Sequence, residues 1–413
     1  MVAGVARRGY PATTIGDVVA LAHVSRSTFY QQFASKQDCL EATYEQLVSD
    51  SVARVARAYR SREGWRERLR AAFAEFVAVV VADPAAARLV IVDGVALGGG
   101  VAAHRERAAR AFELLLRQSF DQAPGGGHVA AATITALVGG MRRVVYVHLR
   151  AGTVGALPAQ VHDLLEWTLR YQLPAGALLA APRDPERPND AGPEGGGCAR
   201  APRLPHARLR YSQRERILIA VRSLVCERGY GALTIPTISA RAGVSNQTFY
   251  QHFAAKENAF LAAFEDGAAR ALAATAPAFE RQPGWPEAVC AGIDALLGFL
   301  AAEPAFAKLA FVELPGAGPA ALERAELALD AFAAFLRPGL DRRAAPGVLV
   351  QATTGAVRSV IDREIAHGHT AALPALAPCI AYVALAPFIG AEQAARQLTE
   401  RALVAPPAAA TRS

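Results

Sequence analysis

Apolar positions along this chain recur at helical rather than strand spacing, most clearly at the start of its second half. Ile217, Leu218, Val221, Leu224 and Val225 form a single stripe one helix face wide. Ser212 followed three residues later by Glu215 is a capping box that predicts where this helix begins, and Gly229 predicts its end. Thr234 then predicts the cap of a short helix reaching Ala242, Gly243 a tight turn, and Ser245 the cap of a third helix to about Phe253. Lys256 opens a long fourth. Pro286, one residue after Trp285, suits a helix start, Pro304 breaks that helix, and Ala/Leu/Phe patterns fill 319–336 and 347–389. No alternating pattern competes, so the expected class is all-α.

The same pattern occurs twice. Arg8-Gly9-Tyr10 and Arg228-Gly229-Tyr230 lie 220 positions apart, and the register holds through Thr28-Phe29-Tyr30-Gln31 with Thr248-Phe249-Tyr250-Gln251. Gly64-Trp65 with Gly284-Trp285, and Arg88-Leu89 with Lys308-Leu309, keep it. Further on, Gly139 to Pro158 matches Gly355 to Pro374 at a spacing of 216. A unit of roughly 190 to 200 residues, repeated once, is too long for a solenoid repeat. Between the two copies, 174–206 carries six prolines and Gly195-Gly196-Gly197 and reads as a linker. A flexible chain of that length spans roughly 30 Å, enough for the halves to dock or to act as separate beads.

Composition narrows the class. A chain of 413 residues exceeds one ordinary core, and 52% apolar with 20% charged residues supplies packed interiors, so two large globular units are expected. A net charge of +7 permits a polyanionic partner without demanding one. Five cysteines, widely spaced and odd in number, encode neither a disulfide framework nor a zinc site and point to a reducing cytosol. The first ten residues lack the apolar core of a signal peptide, and the run Phe76 to Ala82 is too short to span a membrane. A cytoplasmic protein without membrane contact is the expectation.

The segment 234–257 suggests a partner. A short helix, a glycine turn and a second helix bury Val244, Phe249 and Phe253, while Ser245, Asn246, Gln247, Thr248, Tyr250 and Gln251 face outward. These are neutral hydrogen-bonding groups suited to base edges and phosphates, on a helix of a diameter that enters the major groove. With its capped short helix, small-residue turn, Val-Ser-x-x-Thr-Phe-Tyr-x-x-Phe and following Lys, each copy resembles the DNA-binding domain of the tetracycline-repressor (TetR) family of bacterial regulators. The resemblance is strong over the first 45 or so residues of each copy and weak afterwards.

It implies an N-terminal three-helix domain in each copy, followed by a helical effector-binding and dimerisation domain. The implied boundaries are 1–45 and 46–173 in the first copy, the linker 174–206, then 207–265 and 266–392 in the second, and a tail at 393–413. Carried over residue by residue, Arg26, Ser27 and Thr28, and Asn246, Gln247 and Thr248, are placed for base edges behind the caps Ser25 and Ser245. Arg favours guanine and Asn or Gln adenine, each bidentate pair being worth about 1–3 kcal/mol. Tyr30, Gln31 and Lys36, Tyr250, Gln251 and Lys256, and the caps Thr14 and Thr234 are expected to hold phosphates. Phe29, Phe33, Phe249 and Phe253 are read as core.

The first copy departs from the pattern in two places. His23 stands where Gly243 makes the turn, predicting strain or a different shape there. Met1 aligns with Val221, so the first turns of helix one have no counterpart, and a start codon lying further upstream is preferred to degeneracy. Elsewhere the signals are thin. His367-Gly368-His369 reads as a loop with exposed histidines rather than a metal pair, and no phosphate loop, nucleophile elbow or acid pair is present, so neither enzyme activity, metal nor cofactor is expected. Phe73, Phe76, Phe299 and Phe306 are candidates to line a pocket for a small apolar effector, with plain core as the blander reading. Together the residues predict a ligand-responsive repressor that binds duplex DNA as an intramolecular pseudo-dimer on an asymmetric operator. Two alternatives stand: a homodimer in which one unit is mainly a sensor, and a small-molecule-binding or interaction module with degenerate DNA binding.

Overall fold

A computed structural model describes residues 1–95, 99–123, 129–172, 211–340 and 346–404. The expected linker 174–206 lies outside them. Among the described residues every regular element is helical, and the chain divides into two compact units. The first comprises Met1–Val129, Ile134–Gly176 and Ala345–Ala356; the second comprises Ala130–Thr133, Ala177–Ala344 and Val357–Ser413.

The first unit opens with α1 (Val2–Ala12), α2 (Ile15–Ala22), α3 (Arg26–Gln32) and α4 (Lys36–Arg60). Val2 to Arg8 form a real, short helix one, and Gly9 breaks it with φ 74°, a value that glycine adopts without the Cβ penalty. Val5 of α1 packs with Leu40 and Tyr44 of α4 and with Leu89, while Val18, Val19, Phe29 and Cys39 close a second small cluster around α2 and α3. Then come α5 (Trp65–Ala82), α6 (Pro84–Ile91), α7 (Gly99–Asp121), α8 (Ala131–Ala151) and α9 (Val161–Leu169). Asp83 separates α5 from α6 by accepting the Ala86 N–H at 2.9 Å, with Pro84 at a position where its missing donor costs nothing.

The second unit runs through α10 (Gln213–Arg228), α11 (Ile235–Ala242), α12 (Asn246–His252), α13 (Lys256–Glu280), α14 (Trp285–Ala302), α15 (Pro304–Lys308) and α16 (Pro319–Ala333). It ends with α17 (Pro346–Ala366), α18 (Ala377–Ile389) and α19 (Ala391–Val404). The Ser212/Glu215 box forms as the spacing predicts, the Ser212 N–H donating to the Glu215 carboxylate at 2.7 Å and the Glu215 N–H to Ser212 Oγ at 3.2 Å. Helices α4 and α13 begin at Lys36 and Lys256 and are both 25 residues long, so the domain boundaries drawn at 45/46 and 265/266 fall inside continuous helices.

Two other expectations change. The first twelve residues of the segment read as a tail belong to α19, whose Gln397 donates to Glu287 at 2.7 Å and whose Arg401 pairs with Asp294 on α14. Cys39, Cys290 and Cys379 are free and buried, but Cys226 is disulfide-bonded, which its isolation in the sequence did not suggest. Two stretches, Trp285–Ala302 and Thr370–Ile389, are long and apolar enough to cross a membrane by length and composition. In α18 nearly every side chain from Ala377 to Pro387 is buried within the unit, as in a core helix that is apolar all round.

Candidate nucleic-acid interface

Each three-helix head is assembled by caps and one aromatic anchor. Ser25 and Ser245 accept the backbone N–H of Thr28 and Thr248, both at 3.0 Å, which fixes the first turns of α3 and α12. The Phe29 and Phe249 rings are buried beneath those helices, 5.4 and 5.8 Å from Phe33 and Phe253. The opposite face stays in solvent. Arg26, Ser27, Thr28, Tyr30 and Gln31 are exposed on α3, and Asn246, Gln247, Tyr250 and Gln251 on α12, with Thr248 half-buried. Tyr30 and Tyr250 are 57% and 58% exposed, unusual for large aromatic side chains. The sequence-derived face thus exists as one surface in each head.

The turn before each recognition helix has the same shape despite different residues. Gly243 lies at φ 65°, ψ 40° and His23 at φ 55°, ψ 39°, the one non-glycine residue with positive φ among the described residues. The hydrogen bonds also agree: Val24 N–H reaches Val19 O at 3.1 Å and Val244 N–H reaches Ser239 O at 3.0 Å. The head tolerates the left-handed conformation at His23 rather than reshaping the turn. A non-glycine residue there costs about 1 kcal/mol or more, so His23→Gly is expected to raise the stability of the first head by about 1 kcal/mol, seen as slower amide exchange across α1–α3. Faster exchange would contradict this.

Lys36 and Lys256 are not free to hold phosphates. Lys36 Nζ donates to the Tyr10 and Thr13 carbonyls at 3.0 and 2.9 Å, and Lys256 Nζ to the Leu233 carbonyl at 3.0 Å. Both ammonium groups lie over a tyrosine ring, Tyr10 at 4.3 Å and Tyr230 at 5.0 Å from the centroids. These lysines satisfy carbonyls where the chain leaves helix one, and their fixed spacing from the recognition helix reflects that structural task.

Thr14 and Thr234 cap α2 and α11, but their third-residue partners differ. In α2 the Asp17 carboxylate accepts from Thr14 N at 2.9 Å and Thr14 Oγ1 at 2.8 Å, bonds that hold its pKa below the usual carboxylate range. In α11 the corresponding residue is the neutral Thr237. A phosphate approaching the first turn of α2 therefore meets a fixed negative charge, offset in part by Arg8 at 2.9 Å, whereas at α11 it meets none.

Further groups that the sequence did not single out brace the second head. Arg241 on α11 makes a two-pronged pair with Glu227 on α10, both contacts at 2.7 Å, and this holds the Glu227 pKa down to about 2. Arg216 reaches the Gly243 carbonyl at 3.4 Å, and the buried Arg222 pairs with Asp266 at 2.6 Å. Beyond the head, Lys308 Nζ donates to Cys226 O at 2.7 Å, and Glu313 accepts the Tyr230 N–H at 2.9 Å. These two side chains flank a five-residue π-helix, Leu309–Glu313, and grip the end of α10. At the same spacing in the first unit, Arg88 and Asp93 face each other instead, at 3.8 Å. No local pattern signals such side-chain-to-backbone contacts across some eighty residues.

The four candidate effector residues separate into two pairs. Phe73 and Phe76 line a cavity of about 330 Å³ enclosed by α4 to α8 of the first unit. Phe299 and Phe306 instead join a ring cluster, with centroids 5.9 Å apart and Phe306 stacked on Phe264 at 6.4 Å. Gly267 makes this possible: a Cβ there would come within 2.1 Å of the Phe306 ring. Among the described residues no group of three metal-ligating side chains occurs.

Comparison with known proteins agrees with the heads. Residues 5–43 and 217–263 match the sequence model of a family described as bacterial regulatory proteins, tetR family. The HTH-type transcriptional activator FasR of Mycolicibacterium smegmatis is 40% identical over 70 residues, 17% of this chain and 30% of that protein. The match thus spans under a third of that relative's length. Among solved structures, the fatty acid degradation regulator FadR from Bacillus halodurans is similar with a TM-score of 0.40 at 18% identity, over 42% of this chain and 95% of that one. Each half of the chain therefore carries a TetR-type helix-turn-helix segment.

Proposed function

We propose that a chain with two such heads is a DNA-binding transcriptional regulator that reads two unlike half-sites. The observation that carries this reading is the pair of solvent-facing recognition helices, alike in backbone and caps but carrying Arg26-Ser27 in one and Asn246-Gln247 in the other. The first pair favours guanine-containing edges and the second adenine-containing ones. Tyr30, Gln31, Tyr250 and Gln251 would contact phosphates and set register. Because the heads share one chain, binding of the first raises the local concentration of the second, so an intramolecular pseudo-dimer gains affinity without a new interface. The internal repeat and the reach of the 33-residue linker support that arrangement over a homodimer, whose solution mass would be twice 43.5 kDa.

Ligand control follows from the first unit. The cavity is walled partly by Ala86, Ala87 and Val90 of α6, and α6 packs against α1 of the first head. An effector that fits the cavity better when α6 has shifted would favour a state in which the heads no longer match DNA, giving repression relieved by ligand.

The DNA reading is tested by the salt dependence of duplex binding by the full chain. With six to ten phosphate contacts the affinity is expected to fall about 10³- to 10⁵-fold between about 50 and 200 mM salt. Binding nearly independent of salt would favour a small-molecule-binding or interaction module instead.

A further inference from the structure

The regulator reading leaves open which half takes the ligand, and the two units answer differently at matched positions. In the first, Val79 of α5 and Ala86 of α6 face the cavity. In the second, the residues 220 positions on are Phe299 and Phe306, whose rings stack on one another and on Phe264. Leu47 lines the cavity, whereas its counterpart Gly267 receives the Phe306 ring against its backbone. Two aromatic rings thus occupy in one unit the space that a valine and an alanine leave open in the other.

The charges around the cavity follow the same asymmetry. Of the ionisable groups along its wall, Arg54 is paired with Glu75 at 2.7 Å, Asp50 accepts from Gln46 at 2.9 Å, and Asp83 is committed to capping α6. Arg105 and Arg142 remain as the cationic part of the lining, and both act on the buried Tyr44 phenol, which donates to the Val90 carbonyl at 3.0 Å. Burial raises that phenol's pKa while the two guanidinium groups oppose the rise, which places both near one end of the cavity. At the position matching Arg105 the second unit has Ala325, which is buried.

We propose that the chain has a single effector site, in the cavity of the first unit, for a molecule with an apolar body and an anionic group, and that Phe299 and Phe306 fill the corresponding space in the second. The apolar body lies along Phe73, Phe76 and Phe112, and the anion meets Arg105 and Arg142. The second unit thereby keeps a solid core behind the head whose turn carries glycine. Sensing and the better-formed DNA head fall to different halves of one chain.

This rests on the regulator reading for its purpose but is measured without DNA. Titration of the full chain with dodecanoate in a calorimeter is expected to give one equivalent per chain, with dodecanol at least about tenfold weaker because it lacks the charge-assisted bonds. Ala86→Phe and Val79→Phe, which each copy a ring of the second unit into the cavity, are expected to abolish binding while the chain still melts cooperatively. The double substitution Phe299→Val with Phe306→Ala is expected to open a second equivalent. Two equivalents in the native chain, none at all, equal binding of dodecanol, or undiminished binding in both cavity-filling variants would overturn the proposal. Retention of duplex DNA by the ligand-free chain is scored separately, so failure of the ligand count leaves the DNA reading standing and the reverse also holds.

Discussion

Replacing Asn246 and Gln247 together by alanine is expected to lower affinity for the preferred duplex about 10- to 1000-fold, because each lost bidentate base contact is worth about 1–3 kcal/mol. Neither side chain has a hydrogen-bonding role in holding α12, whose first turn is fixed by Ser245, so the helix should persist in the variant. The loss should fall on one half-site only, measured as competition by duplexes in which each half is scrambled in turn. Arg26→Ala should relax discrimination at the other half. A uniform loss on every duplex, scrambled or not, would instead assign these residues to backbone contact.

Phe249→Ala is expected to cost about 3–5 kcal/mol, the usual range for removing a fully buried phenylalanine. The head around it is small, and such a loss is comparable with the whole stability of a small domain. The prediction is selective melting: amide protection across α10 to α12 collapses while α14 and α18 remain protected. Protection that is unchanged in α12 would show that the ring does not anchor the recognition helix. The same substitution at Phe29 should act on the first head alone, because the two clusters share no residues.

What the sequence revealed about these heads was local information. Thr14, Ser25, Thr234 and Ser245 cap within three or four residues of themselves, and Phe29 and Phe249 sit one helical turn after a cap, so short-range spacing suffices to place them. Lys36 and Lys256 were misassigned because a lysine just after a recognition helix looks the same in sequence whether its ammonium meets a phosphate or the Tyr10 and Leu233 carbonyls. His23 posed the opposite problem: the residue suggested a distorted turn, yet surrounding bonds hold it in the conformation of Gly243. Aromatic spacing likewise could not tell Phe76 from Phe306. Only the identity of what lies opposite, a cavity or Gly267, separates a lining residue from a core residue.

The contacts gripping α10 were illegible for a related reason. Lys308 and Glu313 act on backbone atoms of Cys226 and Tyr230, which carry no sequence signature as acceptors or donors. Their partners in the first unit, Arg88 and Asp93, keep the charges but pair with each other. Similar residues at matched positions thus make different connections in the two halves, as expected if the halves have divided their tasks.

The most direct test of the central claim is selection of bound duplexes from a random DNA library by the full chain, followed by sequencing of the enriched sites. Two reading heads with unlike recognition helices predict a composite site with two different halves at a fixed spacing. A clean palindrome would contradict the pairing of unlike heads within one chain, and the absence of any enriched sequence would contradict DNA reading itself.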